Sequence, residues 1–171
     1  VEYALADLDR GEHEGETALS LGWCRDRAVT GDEAGEVRVW DLAAGRLVRT
    51  LRSPADAMSV ALDRSGRFVA SAPYDEVPPP RSMFLFDLSA PRTAEPVPLL
   101  ENDVPYINAG GLRFSPDGSW LASVHGQVDL LWNMAGPRST VLGRGNSAIV
   151  RFTGDAHLLS GGLDGTLKRW P

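Results

Sequence analysis

Along this chain apolar residues alternate with polar ones or gather in short β-branched and aromatic runs, and Gly, Pro, Asp and Ser punctuate them. No stretch carries the 3.6-residue apolar spacing of an amphipathic helix, so the pattern predicts strands throughout. The plainest hairpin is Ala109–Phe114, then Ser115-Pro116-Asp117-Gly118, then Ser119–Val124. Pro116 presets φ for a type I turn, and Gly118 is free to take the left-handed position that closes it. The same arrangement recurs three times. Ser147–Phe152 and His157–Gly161 flank a turn at Thr153–Ala156, Ala57–Leu62 and Arg67–Ala72 flank Asp63–Gly66, and Thr17–Trp23 and Ala28–Gly31 flank Cys24–Arg27.

A third strand follows each hairpin, and these third strands resemble one another: Tyr3–Leu8, Val37–Leu42, Met83–Leu88, Asp129–Met134 and Thr166–Pro171. Their alignment puts Ala6, Trp40, Phe86, Trp132 and Trp170 at one position, separated by 34, 46, 46 and 38 residues. The mean period of 41 residues is that of a four-stranded propeller blade. Outer strands are expected at Arg46–Leu51, Val97–Leu100 and Ser139–Leu142. Four antiparallel strands per period give an all-β fold, a β-propeller of which about four blades are present. The expected units are 12–52, 53–100, 101–142 and 143–171, with residues 1–11 as the end of a preceding blade.

The chain resembles the WD-repeat β-propellers over nearly its whole length. The resemblance rests on Leu158-Leu-Ser-Gly-Gly-Leu-Asp-Gly-Thr-Leu-Lys-Arg-Trp170, on Val29-Thr-Gly-Asp-Glu-Ala-Gly-Glu-Val-Arg-Val-Trp-Asp41 and on Phe114-Ser-Pro-Asp-Gly-Ser-Trp-Leu-Ala-Ser123. The family links an Asp, a His, a Ser or Thr and the Trp of each blade in a buried network. Here the last unit matches at Asp164, Ser160 and Trp170, but its His position falls near Gly143–Arg144. The first matches at Thr30 and Trp40, with His13 roughly placed, but has Ala34 at the Asp position. The second has Phe86 for the Trp, and the third has lost most of the turn that carries the Asp. Blade stability is therefore expected to rest on apolar packing between sheets.

Composition narrows the function classes. The balance of 43% apolar and 23% charged residues is that of a globular domain. No apolar stretch is long enough to span a bilayer as a helix, so no membrane partner is expected. The charge of −6 argues against a nucleic-acid partner, because such affinity is largely basic charge. Lone Cys24 excludes an internal disulfide. Sixteen Arg against the single Lys168, with much Ala, Gly and Pro, suggests a GC-rich, bacterial coding sequence. A cytoplasmic location is expected, although the start on Val1 rather than Met leaves an N-terminal signal unseen.

Chemistry-bearing residues are sparse. His13, His125 and His157 form no close pair with a Cys or with each other, so no metal site, cofactor or catalytic group is assigned. Arg25 and Arg27 near Cys24 would favour a thiolate, but a half-buried structural cysteine beside a turn is the simpler reading. Two segments exceed what the repeat needs. One is Pro73–Ser82, where Pro78, Pro79 and Pro80 stiffen a loop presenting Tyr74 and Arg81. The other is Glu101–Asn108, carrying Tyr106 and Asn108. Repeat geometry sends both loops to one end of the propeller. With His125, expected in the turn Val124–Gln127, they form the candidate surface for a protein or peptide partner, Tyr and Arg being the types enriched at binding hot spots.

A propeller closes as a ring, and an open row of four blades leaves two end faces bare. If each matches a standard interface of roughly 800 Å² per partner, about 10 kcal/mol of apolar burial goes unmade. Three solutions follow: further blades upstream, an unusual four-bladed ring, or a second copy making eight. The start inside a third strand and the end on Trp170–Pro171, where the resemblance implies that such rings finish, favour the first, the C-terminal part of a longer propeller. The resemblance further implies a bacterial protein in which the blades follow a signalling domain. The expected function is a non-catalytic interaction scaffold or sensor. A purely structural repeat is the main alternative. A channel enzyme would need reactive groups at the inner-strand starts, where Thr17, Ala57, Ala109 and Ser147 are small or hydroxylic.

Overall fold

The structure, a computed structural model, describes residues 20–73, 82–100, 109–125, 128–136, 138–144, 147–154 and 157–171. The described residues form strands and turns, without a helix. The first sheet holds β1 (Ser20–Cys24), β2 (Arg27–Gly31), β3 (Glu36–Asp41) and β4 (Arg46–Arg52) in that order. The second holds β5 (Ser59–Leu62), β6 (Phe68–Ala72), β7 (Ser82–Asp87) and β8 (Val97–Leu100), and the third β9 (Ala109–Phe114), β10 (Trp120–His125), β11 (Val128–Asn133) and β12 (Arg138–Arg144). The fourth has three described strands, β13 (Ser147–Thr153), β14 (His157–Gly162) and β15 (Leu167–Trp170). Every pairing is antiparallel between chain neighbours, so each sheet is a meander.

The sheets stand side by side through their first strands, β1 against β5, β5 against β9 and β9 against β13. Because side chains alternate across a strand, each sheet offers one face to each neighbour. Val29, Val37 and Val39 of the first sheet meet Val60, Leu62, Val69 and Phe86 of the second. The other face of the second, with Ala70, Met83 and Leu85, meets Leu112, Leu121, Leu130 and Trp132 of the third. Ala122 and Val124 then meet Val150 and Leu158 of the fourth, with Trp170 packed against them. The core is three apolar layers between sheets. In each layer the aromatic of the third strand belongs to the later sheet, so Phe86, Trp132 and Trp170 all point toward the preceding one.

The buried network is pared down, not absent. The Trp40 indole N–H donates to the Thr30 hydroxyl at 3.1 Å, Trp132 to Ser123 at 2.9 Å and Trp170 to Ser160 at 3.0 Å. Where Phe86 replaces the Trp, Ser71 has no indole to accept from and donates to the Ser53 hydroxyl at 3.2 Å. In the first sheet the carboxylate role falls to Asp32, not to position 34. Asp32 is buried, accepts the Glu36 N–H at 2.8 Å and pairs with Arg38 at 2.7 Å.

The β9–β10 and β5–β6 turns share one geometry. Gly118 has φ +76° and donates to the Ser115 carbonyl at 2.9 Å, while Gly66 has φ +74° and donates to the Asp63 carbonyl at 3.0 Å. One expectation is corrected: His125 is not in a turn but closes β10, paired in register with Ala109 and Val128.

Candidate functional site

The strands bracketing the two long connections, β6–β7 and β8–β9, end on the same side of the row, as a meander requires. Tyr74, Arg81, Tyr106 and Asn108 lie outside the described residues, as do His13 and the segment 1–11. Of the proposed partner-contacting residues the structure places only the His125 backbone, at the end of β10 where the β10–β11 connection starts. Cys24 is half-buried, and its Sγ–H donates to the Arg64 carbonyl at 3.2 Å, which ties the β1–β2 and β5–β6 turns together. His157 opens β14, with Nε2 2.8 Å from Nη2 of Arg169.

The opposite side, bearing the β1–β2 and β5–β6 turns and the β3–β4 and β7–β8 connections, holds a feature that the sequence patterns did not reveal. Between the first two sheets lies a partly open cleft of about 380 Å³, lined by Arg27, Val48, Arg49, Leu88, Pro91 and Arg92 among others. Arg49 is only 9% exposed. It donates from Nη1 to the carbonyls of Leu88 at 3.1 Å and Ala90 at 3.3 Å, and from Nη2 to that of Pro91 at 3.1 Å. Arg27 donates to the Gly66 carbonyl at 2.9 Å and Arg92 to the Val48 carbonyl at 3.2 Å, so all three guanidiniums clip the first sheet to the second. Among the described residues none of the three has a carboxylate within ion-pair distance. Register explains the geometry: Arg49 pairs with Val39 and alternates with Leu51, both of which face the second sheet, so its side chain points the same way.

Other cations on this side are treated differently. Arg67 grips Asp87 at 2.7 Å, and that hydrogen bond, aided by Ser89, holds the Asp87 carboxyl well below the usual range. Arg113 on β9 is half-buried, and burial first, then the charge of Arg151, pulls its guanidinium below its ordinary value. Among the described residues no three His, Cys, Asp or Glu side chains gather as metal ligands. No helix among them is long and apolar enough to cross a membrane.

The two ends of the row carry apolar side chains that face no described sheet. On β1, Gly22 and Cys24 point at the second sheet, which leaves Leu21 and Trp23 on the opposite face, Trp23 being 71% exposed. On the fourth sheet, Val150, Leu158 and Trp170 point at the third, and Ile149 and Leu167 point away, Leu167 being 72% exposed.

Comparison with solved structures decides the architecture. The chain superimposes on the computationally designed Ika4 protein with a TM-score of 0.67 and 19% identity, covering 93% of each chain. It matches the Cps50 (Swd1) β-propeller domain of Myceliophteria thermophila with the same TM-score at 16% identity, covering 90% of this chain and 51% of that one. The fold is that of β-propeller blades. The chain therefore spans about half the length of the Swd1 domain. No family model matches the sequence. No curated protein matches it either. In propeller terms the four sheets are blades 1 to 4, and the long connections and the arginine cleft lie at opposite ends of the blades.

Proposed function

We propose that these blades belong to a non-catalytic, cytoplasmic WD-repeat scaffold or sensor that holds a protein or peptide partner on its loop-bearing ends. The observation that carries this reading is the division between frame and connections. Each blade is locked to the next by an apolar layer, and two connections far longer than the hairpin turns leave blade 2 at one end. A rigid frame presenting Tyr- and Arg-bearing loops loses little entropy on binding, which favours recognition. Capture of partners from a bacterial lysate by the wild type, compared with a Tyr74→Ala/Arg81→Ala variant, tests it. Partners lost with the variant support the loop site, and equal recovery overturns it.

A structural role in assembly has its own observation, the exposed Leu21 and Trp23 at one end of the row and Ile149 and Leu167 at the other. The aromatic of each blade points toward the preceding one, so the outer face of blade 4 is built to receive a first-blade face. Upstream blades would supply it in a longer protein, and a second copy would supply it for this chain alone. The two roles are compatible, since assembly uses the sheet faces and recognition the blade ends.

A further inference from the structure

We propose that the cleft between blades 1 and 2 is a binding site for an acidic protein segment, with a partner carboxylate seated on Arg27 and Arg92 over the buried Arg49. The inference rests on reading the chain as an interaction module, but uses the end of the blades opposite to Tyr74 and Arg81.

Arg49 is 9% exposed, with carbonyl oxygens as its only described partners. Carbonyl dipoles satisfy its N–H groups but leave its net charge uncompensated, and burial makes that charge felt strongly inside the cleft. Arg27 and Arg92 each donate one hydrogen bond to a carbonyl, which leaves most of their five donors facing solvent at the rim. Three carboxylates on this side are engaged elsewhere. Asp87 is held by Arg67 and Ser89, Asp41 accepts the Ala44 N–H, and Asp63 is turned into its own hairpin, where it accepts the Arg67 and Phe68 N–H groups. What remains is a cationic notch on a chain whose overall charge is −6.

The chemistry selects a carboxylate over a polyanion. Guanidinium forks match the two oxygens of a planar carboxylate. The overall negative charge repels nucleic acid at longer range. The walls of Val39, Val48, Leu88 and Pro91 suit the hydrocarbon stem and neighbours of an acidic side chain.

Fluorescence anisotropy of the intact chain with a labelled Asp/Glu-rich peptide tests this, with its Asn/Gln counterpart, a single-stranded DNA of equal charge and inorganic phosphate as comparisons. Arg27→Gln and Arg92→Gln change exposed side chains, and a circular-dichroism melt checks that they stay folded. Saturable binding of the acidic peptide that salt weakens, with a loss of about tenfold or more in the double variant and none in Arg169→Gln on blade 4, is the expected result. Absence of binding, binding unchanged in the double variant, or DNA or phosphate binding as tightly as the peptide would overturn it. Each of these failures leaves the lysate capture through Tyr74 and Arg81 to be judged separately.

Discussion

Thr30, Ser123 and Ser160 each accept an indole N–H from the third strand of their own blade, and all three pairs follow from residue types at fixed positions in the repeat. Thr30 with Trp40 and Ser160 with Trp170 were legible because each pair is local, ten residues apart, and falls on the family positions, whereas Ser123, nine residues before Trp132, was not singled out. Asp32 was not, since its carboxylate reaches the Glu36 N–H and Arg38 from two positions before the expected site, an offset that only the turn geometry reveals. Arg49 was illegible because the cross-strand register that pairs it with Val39, on the face toward the second sheet, is not marked in an ordinary outer strand. Asp117 offers a prediction at this scale. Hydrogen bonds from the Ser115 and then the Ser119 hydroxyl, joined by the Ser119 N–H, hold its carboxyl down at about 2, below its ordinary 3.8. A depressed folded value means that its contribution is complete above the ordinary value and is lost as pH falls through about 2. Thermal midpoints measured on acidification should fall less steeply in Asp117→Asn than in the wild type. Parallel curves would remove Asp117 from the account.

Strands and hairpins were the most legible level. Period-two alternation bounded by Gly, Pro and Asp placed β8 at Val97–Leu100 and β9 at Ala109–Phe114, and most other strands to within a residue or two. The exception, His125, was expected in the turn Val124–Gln127, yet it is the last residue of β10 and pairs with Val128. Contacts between elements could not be read in advance, because they depend on which side chains meet across blades. Gly31 is an example: a Cβ there would stand 2.2 Å from the Ala57 carbonyl oxygen and 2.8 Å from Val60 Cγ1. Backbone of the next blade cannot yield as a flexible side chain would. Gly31→Ala should therefore destabilise the chain by about 1–3 kcal/mol, as overpacking does in tight cores. Urea unfolding measures this, and a midpoint equal to the wild type would mean that blades 1 and 2 are less closely seated than described.

At the scale of the whole molecule, three inter-blade layers follow one rule, in which the third-strand aromatic of a blade packs on the blade before it. The repeat period made the number of blades legible. It did not show which apolar residues end on bare faces, because Leu21, Trp23, Ile149 and Leu167 look in sequence like any other strand residues. Exposed apolar area of this kind marks an association surface. The central proposal is that these two end faces are association surfaces, each seated against a further blade face. Sedimentation velocity on the isolated chain, alongside Trp23→Ser/Leu167→Ser, tests it most directly. The account predicts that the wild type sediments at twice the mass of one chain or more and that the double variant shifts toward a single chain while remaining folded. A wild type that sediments as a stable, folded single chain across the concentration range would contradict it.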